Sequence, residues 1–219
     1  MNSFKYMFFA LSASIEGWRH CRPIIVVDGT FLTTQCGGTL YTACAKDGNN
    51  QVFPLAFGIG DSENDDSYCW FFDKIKHTFH HREQLVIVSD RHKSIENAIR
   101  IIFPEAEHGI CSYHLKQNLK MRFRSAGLME AYKVAVYTYS RDEFEQSMAE
   151  INAIDHRMFK YLREADPRKW ARCYYPRGRY NIQTSNLVES MNNRVKHLKR
   201  LPIIQLLEEL RSILQQWFS

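Results

Sequence analysis

No apolar run in this chain approaches the length a bilayer-spanning helix needs, so a membrane-embedded class is set aside at once. Proline and glycine are sparse, at 6 and 10 of 219 residues, and no Ser/Gly/Pro-rich or single-residue tract interrupts the sequence. That argues against a disordered chain and against two domains strung on a flexible linker. There is no internal repeat. The six cysteines, Cys21, Cys36, Cys44, Cys69, Cys111 and Cys173, form no CxxC pair. In a chain long enough to fold without staples they read as reduced thiols of an intracellular protein. The opening stretch lacks the basic flank of a secretory signal, with Lys5 its only positive charge. Phe4, Met7, Phe8 and Leu11 recur at helical spacing, so a buried helix is expected from Phe4 to Ile15.

What the chain does have is apolar material for one large core, or for a core carrying a sizeable insertion: 45% of its residues are hydrophobic and 13% aromatic. The net charge of +5 is unevenly spread. Between Arg163 and Arg200 ten Lys/Arg stand against three acids, leaving the rest of the chain slightly negative. Such asymmetry suits a polyanion, because each cation set against a phosphate releases condensed counterions; a merely solvated basic face is the competing reading.

Ile24-Ile25-Val26-Val27 is a continuous β-branched run, as expected of a central strand covered on both faces, and it is read as ending at Asp28-Gly29-Thr30. Strands over 39–45 and 51–59 flank Lys46-Asp47-Gly48-Asn49-Asn50, a hairpin turn by its Asp-Gly and Asn content. A helix rich in aromatics follows over 65–79, then a buried strand over 85–88 ending at Ser89-Asp90. After it come a helix over 94–103 that stops at Pro104, a short strand near 108–110 and a helix over 112–123. The segment from 126 to 169 reads as helical throughout. Capping residues Thr184-Ser185-Asn186 open a helix to about Leu198, and Pro202 precedes a last amphipathic helix to Trp217.

This is the element order of a ribonuclease H-like fold: an α/β mixed sheet with flanking helices and an all-α insertion before the last acid. The domain expectation is an N-terminal helix over 1–20, the core over 21–125, the insertion over 126–170, and C-terminal core helices over 171–219.

Asp28 and Asp90 each follow a buried strand, so neighbouring strands would bring both carboxylates to one sheet edge. Hard divalent ions take oxygen ligands, commonly one or two carboxylates with water and phosphate. An isolated aspartate at a strand end more often starts a turn, but two in this topology favour a metal site. Glu189 stays open between a third ligand and the back half of a capping box with Asn186. Glu63, Asn64, Asp65 and Asp66 read as helix-capping acids and amide, and His92 as a surface loop histidine. Trp170, Tyr174, Tyr175 and Tyr180 alternate with Arg172, Arg177 and Arg179. That composition suits stacking on unpaired bases while holding phosphates, and an aromatic loop anchoring the insertion to the core explains it almost as well.

The ordered set Cys21-Arg22-Pro23, Val27-Asp28-Gly29-Thr30-Phe31, Phe53-Pro54-Leu55-Ala56-Phe57, Ser89-Asp90-Arg91-His92, Phe103-Pro104, Cys111-Ser112-Tyr113-His114, Thr184-Ser185-Asn186 and Glu189-Ser190-Met191-Asn192 resembles the transposase domain of Mutator-like elements, plant branch most closely. The resemblance covers nearly the whole chain. It implies a catalytic and metal-binding triad of Asp28, Asp90 and Glu189, holding two Mg²⁺ or Mn²⁺ ions for DNA strand cleavage and strand transfer. It also implies double-stranded DNA as partner, an assembly that could be a homodimer, and a nuclear location. On this reading DNA is held by Arg172, Arg177, Arg179, Lys196, Lys199 and Arg200. Cys111 and His114 match a C-x-x-H pair of that family; two ligands do not make a structural zinc site, and a local structural or DNA-positioning role is favoured. The family's zinc finger and zinc knuckle have no counterpart here, so the chain reads as a fragment, a truncated gene product or an excised domain. The alternatives are a domesticated DNA-binding regulator without transposition activity and a plain ribonuclease H-like nuclease.

Overall fold

The computed structural model describes residues 5–34, 37–80, 82–123, 125–175 and 186–218, the side chains of Ala126 and Asn186 excepted. The chain divides into two compact units, one of residues 1–107 with 185–219 and one of residues 108–184.

The first unit begins with strand β1 (Met7–Phe9) and helix α1 (Ser12–Gly17). The helix expected across 4–15 is therefore a strand followed by a shorter helix. β1 pairs antiparallel with a later strand, Met7 opposite Ile59 and Phe9 opposite Phe57. A tertiary ladder thus overrides a spacing that three or four residues can satisfy by chance. β2 (Ile24–Phe31), β3 (Thr39–Lys46) and β4 (Val52–Gly60) follow as an antiparallel meander. At the β3–β4 hairpin the Asp47 carboxylate accepts from the Gln51 N–H at 2.8 Å, and Asn50 takes a φ of 66°. Pro54 sits where the β3–β4 register shifts, between Ala43 and Cys44, a place where a residue without an N–H is tolerated.

Helix α2 (Asp65–Phe79), strand β5 (Val86–Ser89), helix α3 (Lys93–Ile102) and strand β6 (Glu107–Ile110) continue the chain. The six strands form one mixed sheet in the order β1-β4-β3-β2-β5-β6. On one face α2 and α3 pack together over a core that includes Ile25, Val27, Tyr41, Phe71, Phe72 and Ile87. The cap of α2 is Asn64, whose side chain accepts from the Ser67 N–H.

β2 does not stop at Asp28. It pairs with β3 as far as Phe31–Thr39, while its parallel pairing with β5 runs only over Ile24–Val86, Ile25–Ile87 and Val26–Val88. Asp28 therefore lies inside a strand, just past the point where one of its two neighbours leaves. The break at Gly29 was legible as a turn signal, but the β3 ladder carries the strand through it.

Within the second unit run α4 (Ser112–Arg122), α5 (Ala126–Tyr137), α6 (Arg141–Ile154), α7 (His156–Glu164) and the short α8 (Pro167–Trp170). The segment expected as an all-α insertion is helical. The compact unit starts earlier than the expected 126, because Ile110, Leu115 and Leu119 share one apolar cluster with Tyr132, Phe144, Met148 and Trp170. Trp170 is fully buried, its indole N–H donating to the Leu162 carbonyl at 3.2 Å.

Back in the first unit, α9 (Asn186–Arg194) packs on β2, β3 and β4. It ends four residues sooner than expected. A 3-10 turn over Lys196–Arg200 replaces its last part, and the Lys199 carbonyl accepts from the Thr33 N–H at 3.0 Å. α10 (Ile203–Phe218) buries Leu206, Leu210 and Leu214, a stripe at i, i+4 and i+8.

Gly58 allows β4 to meet α2 closely: a Cβ there would stand 2.6 Å from the Phe71 ring, itself 5.3 Å from Tyr41. Phe71→Ala should cost about 3–5 kcal/mol by leaving a cavity. Gly58→Ala should cost about 1–3 kcal/mol by overpacking. The double variant should be more stable than the sum of the two losses implies, since the vacated ring space accepts the new methyl. Urea unfolding of the three proteins measures this.

Candidate active site

Side chains alternate across a strand, so the burial of Ile25 and Val27 under α2 and α3 assigns Gly29 to that face and Ile24, Val26 and Asp28 to the other. The α9 side confirms this assignment. Asn192 donates its amide N–H to Asp28 Oδ2 at 2.8 Å, and its carbonyl oxygen accepts the buried Thr42 hydroxyl, also at 2.8 Å. Thr42 is the residue directly opposite Asp28 on β3. One amide thus ties the helix to two neighbouring strands at the level of Asp28.

Extending the β2–β5 register two residues beyond Val26–Val88 sets Asp90 alongside Asp28. Asp90 Oδ1 accepts the His92 N–H at 3.0 Å, so this aspartate also shapes the turn into α3, the structural role weighed against it. His92 is half-buried, with its ring 5.9 Å from that of Tyr68, and is not the surface histidine expected. Glu189 is half-buried on α9, one turn before Asn192 and so on the neighbouring part of the same helix surface. Thr184 and Ser185, expected to cap this helix, lie outside the described residues, as does the Asn186 side chain.

On the opposite face Glu63 occupies the space over Gly29. A Cβ at Gly29 would stand 2.2 Å from Glu63 Oε1, and the Tyr68 hydroxyl donates to that same oxygen at 3.0 Å. Burial raises the Tyr68 phenol well above its usual range, and the carboxylates of Glu63 and Asp90 push it further up. Glu63 is therefore a partner of Tyr68 across the sheet from α9, which no spacing rule in the sequence indicated.

Lys199 was expected only as a DNA contact. It is half-buried, donates to the Thr30 hydroxyl, and its ammonium is held below the usual lysine range, by burial first and by Lys196 as well, while Asp28 opposes the shift. Lys196 and Arg200 are exposed beside it. Asn192 is the other residue sequence reasoning left without a role; its signal was its position three after Glu189 on one helix.

The remaining expected DNA contacts divide. Arg177 and Arg179, with Tyr180, lie outside the described residues. Arg172 belongs to the second unit, donating to the Tyr137 carbonyl at 3.2 Å and standing 4.6 Å over the Tyr139 ring. Trp170 is fully buried and Tyr174 donates to Glu145 at 2.8 Å. The described aromatics pack within the helical unit itself. Cys111, fully buried, is the N-cap of α4 in that unit, and His114 lies in the first turn of that helix. The described cysteines form no disulfide among themselves.

Residues 24–118 match the family model of the MULE transposase domain. That match includes Asp28, Asp90, Cys111 and His114 and stops before α9. The chain is 23% identical over 193 residues to the transposase for insertion sequence element IS905 of Lactococcus lactis, covering 83% of this chain and 49% of that protein. It is also 24% identical over 229 residues to the PKS-NRPS hybrid synthetase cheA of Chaetomium globosum, covering 87% of this chain and 5% of that protein. The chain thus spans half or less of either relative's length. No described helix is long and apolar enough to cross a membrane.

Divalent metal dependence is implied for such a domain, and the residues present fit a hard cation. Asp28 and Asp90 offer carboxylate oxygens two residues beyond the last β2–β5 pair, and Asn192 fixes the orientation of one of them.

Two measurements check this geometry. Asn192→Ala should destabilise the fold by about 1–3 kcal/mol, because it strips the buried Thr42 hydroxyl of its acceptor and Asp28 of a donor; chemical denaturation reads the loss. Asp28→Asn removes the negative charge that favours the Lys199 ammonium, so the Lys199 pKa, already depressed, should fall further. NMR titration of the labelled lysine should show that downward movement.

Proposed function

We propose that this chain is the catalytic domain of a DNA transposase, with a ribonuclease H-like core and a three-carboxylate centre at Asp28, Asp90 and Glu189. The single observation carrying the reading is the β2–β5 register, whose continuation by two residues would bring Asp28 beside Asp90, under a helix whose Asn192 grips Asp28 one turn after Glu189. An antiparallel β4-β3-β2 meander joined in parallel to β5 supports the ribonuclease H-like assignment. The family match and the insertion-sequence relative support the transposase class.

The reaction proposed is phosphoryl transfer on double-stranded DNA: water cleaves one strand, then the freed 3′-hydroxyl attacks target DNA. Two Mg²⁺ or Mn²⁺ ions held by Asp28, Asp90 and Glu189 would supply activation of the attacking oxygen and stabilisation of the leaving one. The chain's own groups do the rest. Asn192 keeps the Asp28 carboxylate from rotating, and Thr42 keeps Asn192 in the required flip. Lys196, Lys199 and Arg200 supply positive charge for DNA phosphates at the end of β2, and Arg172, Arg177 and Arg179 are proposed as further DNA contacts. A homodimer and a nuclear location accompany this reading.

Nicking of supercoiled plasmid DNA tests it. The wild-type chain should nick in Mg²⁺ or Mn²⁺ and stop on chelation. Asp28→Asn, Asp90→Asn and Glu189→Gln should each lower the rate ~100-fold or more, the kinetic equivalent of losing several kcal/mol of charge stabilisation. Circular dichroism should stay unchanged. A Glu189→Gln protein that nicks at the wild-type rate would remove Glu189 from the centre. DNA binding without any metal-dependent nicking would favour the domesticated regulator instead.

A further inference from the structure

Beyond the end of β2 the first unit holds a cavity of about 600 Å³ lined by Phe31, Thr33, Asn193, Lys196, His197, Lys199 and Arg200. Its size is that of a ligand pocket rather than a packing defect. Its lining is unusual in two respects. Three side chains are cationic, and no described acid lines it. Phe31 remains 66% exposed although it is paired in a strand and has a large ring to bury. A lone exposed phenylalanine is ordinary, but one forming the apolar wall of a basic cavity offers a flat face beside phosphate-binding groups.

The cavity is also built. The Thr33 N–H and hydroxyl both donate to the Lys199 carbonyl, at 3.0 and 3.3 Å, and the Lys199 ammonium donates to Thr30. The 3-10 turn that carries the cations is therefore locked to the strand that carries Phe31. Along that strand Phe31 is three residues past Asp28, about 10 Å at the usual rise and, by strand alternation, on the other face from it.

We infer that this cavity receives an unpaired base of single-stranded DNA, stacked on Phe31 while Lys196, Lys199 and Arg200 hold the adjoining phosphates. The inference rests on the DNA-processing reading and adds to it a preference for unpaired DNA. A base inside a duplex has both faces covered by its neighbours, so Phe31 stabilises only a base that has left the stack. Because stacking is indifferent to base identity, the pocket confers strand-state preference without sequence preference.

Fluorescence anisotropy of the full chain with a short oligothymidylate and with a blunt mixed-sequence duplex tests this. Phe31→Ala should weaken oligothymidylate binding about tenfold, the effect of one lost stacked base, and leave duplex binding unchanged. Phe31→Trp should restore single-strand binding. A 2-aminopurine in the single strand should be quenched by the wild-type chain and not by Phe31→Ala. Lys196→Ala with Arg200→Ala should weaken both DNAs and lower the duplex salt slope by about 2. Phe31→Ala binding oligothymidylate as tightly as wild type overturns the stacking pocket and leaves the DNA-processing reading standing. A wild-type chain that binds neither DNA overturns both.

Discussion

The amide of Asn192 is the constraint from which the rest of the candidate centre follows. It bridges Thr42 on β3 and Asp28 on β2, residues separated from it by 150 and 164 positions in the chain. An amide has one donor side and one acceptor side, and here each meets its complement: a hydroxyl donor and a carboxylate acceptor. Such a bond, removed from water, tolerates little displacement, so α9 is held in rotation as well as in position. Val188, Met191 and Val195 supply the apolar adhesion of the helix to the sheet, and Asn192 supplies its registration.

The sheet separates two polar systems by the alternation of a single strand. Asp28 and Thr30 serve the α9 side, where Asn192 and Lys199 meet them. Gly29, between them, opens the other side to Glu63 and Tyr68. A residue with a side chain at 29 would expel Glu63, so the glycine matters here for the space it leaves. On the α9 side Lys199 lies within the electrostatic reach of Asp28, which offsets part of the cost of burying the ammonium. Positive charge at this end of β2 is thus partly built into the core and partly displayed, since Lys196 and Arg200 remain exposed.

The second unit has its own apolar logic. Tyr132, Phe144 and Trp170 pack their rings at 5.6–5.8 Å, with Tyr174 edge-on to Phe144 at 5.0 Å. Arg172 stands over Tyr137 and Tyr139. Aromatic and basic residues alternating in sequence can face a ligand or each other, and in the described part of this run they face each other.

Sequence alone determined the element types wherever periodicity was long or composition one-sided. The β-branched run at Ile24–Val27, the Asp-Gly hairpin, the aromatic helix over 65–79 and the helical 126–169 segment all followed from local propensity and burial pattern. The candidates Asp28 and Asp90 were legible for the same reason, each being a carboxylate directly after a buried apolar run. Tertiary structure decided what local pattern cannot carry. β1 became a strand because β4 had an open edge, and β2 ran on through Gly29 because β3 continued beside it. Asn192, Glu63 and Lys199 gained their partners from pairings across the fold, and no periodicity records which strand will lie opposite which helix. Residue spacing encodes a face; only the packed sheet and helices determine what that face meets.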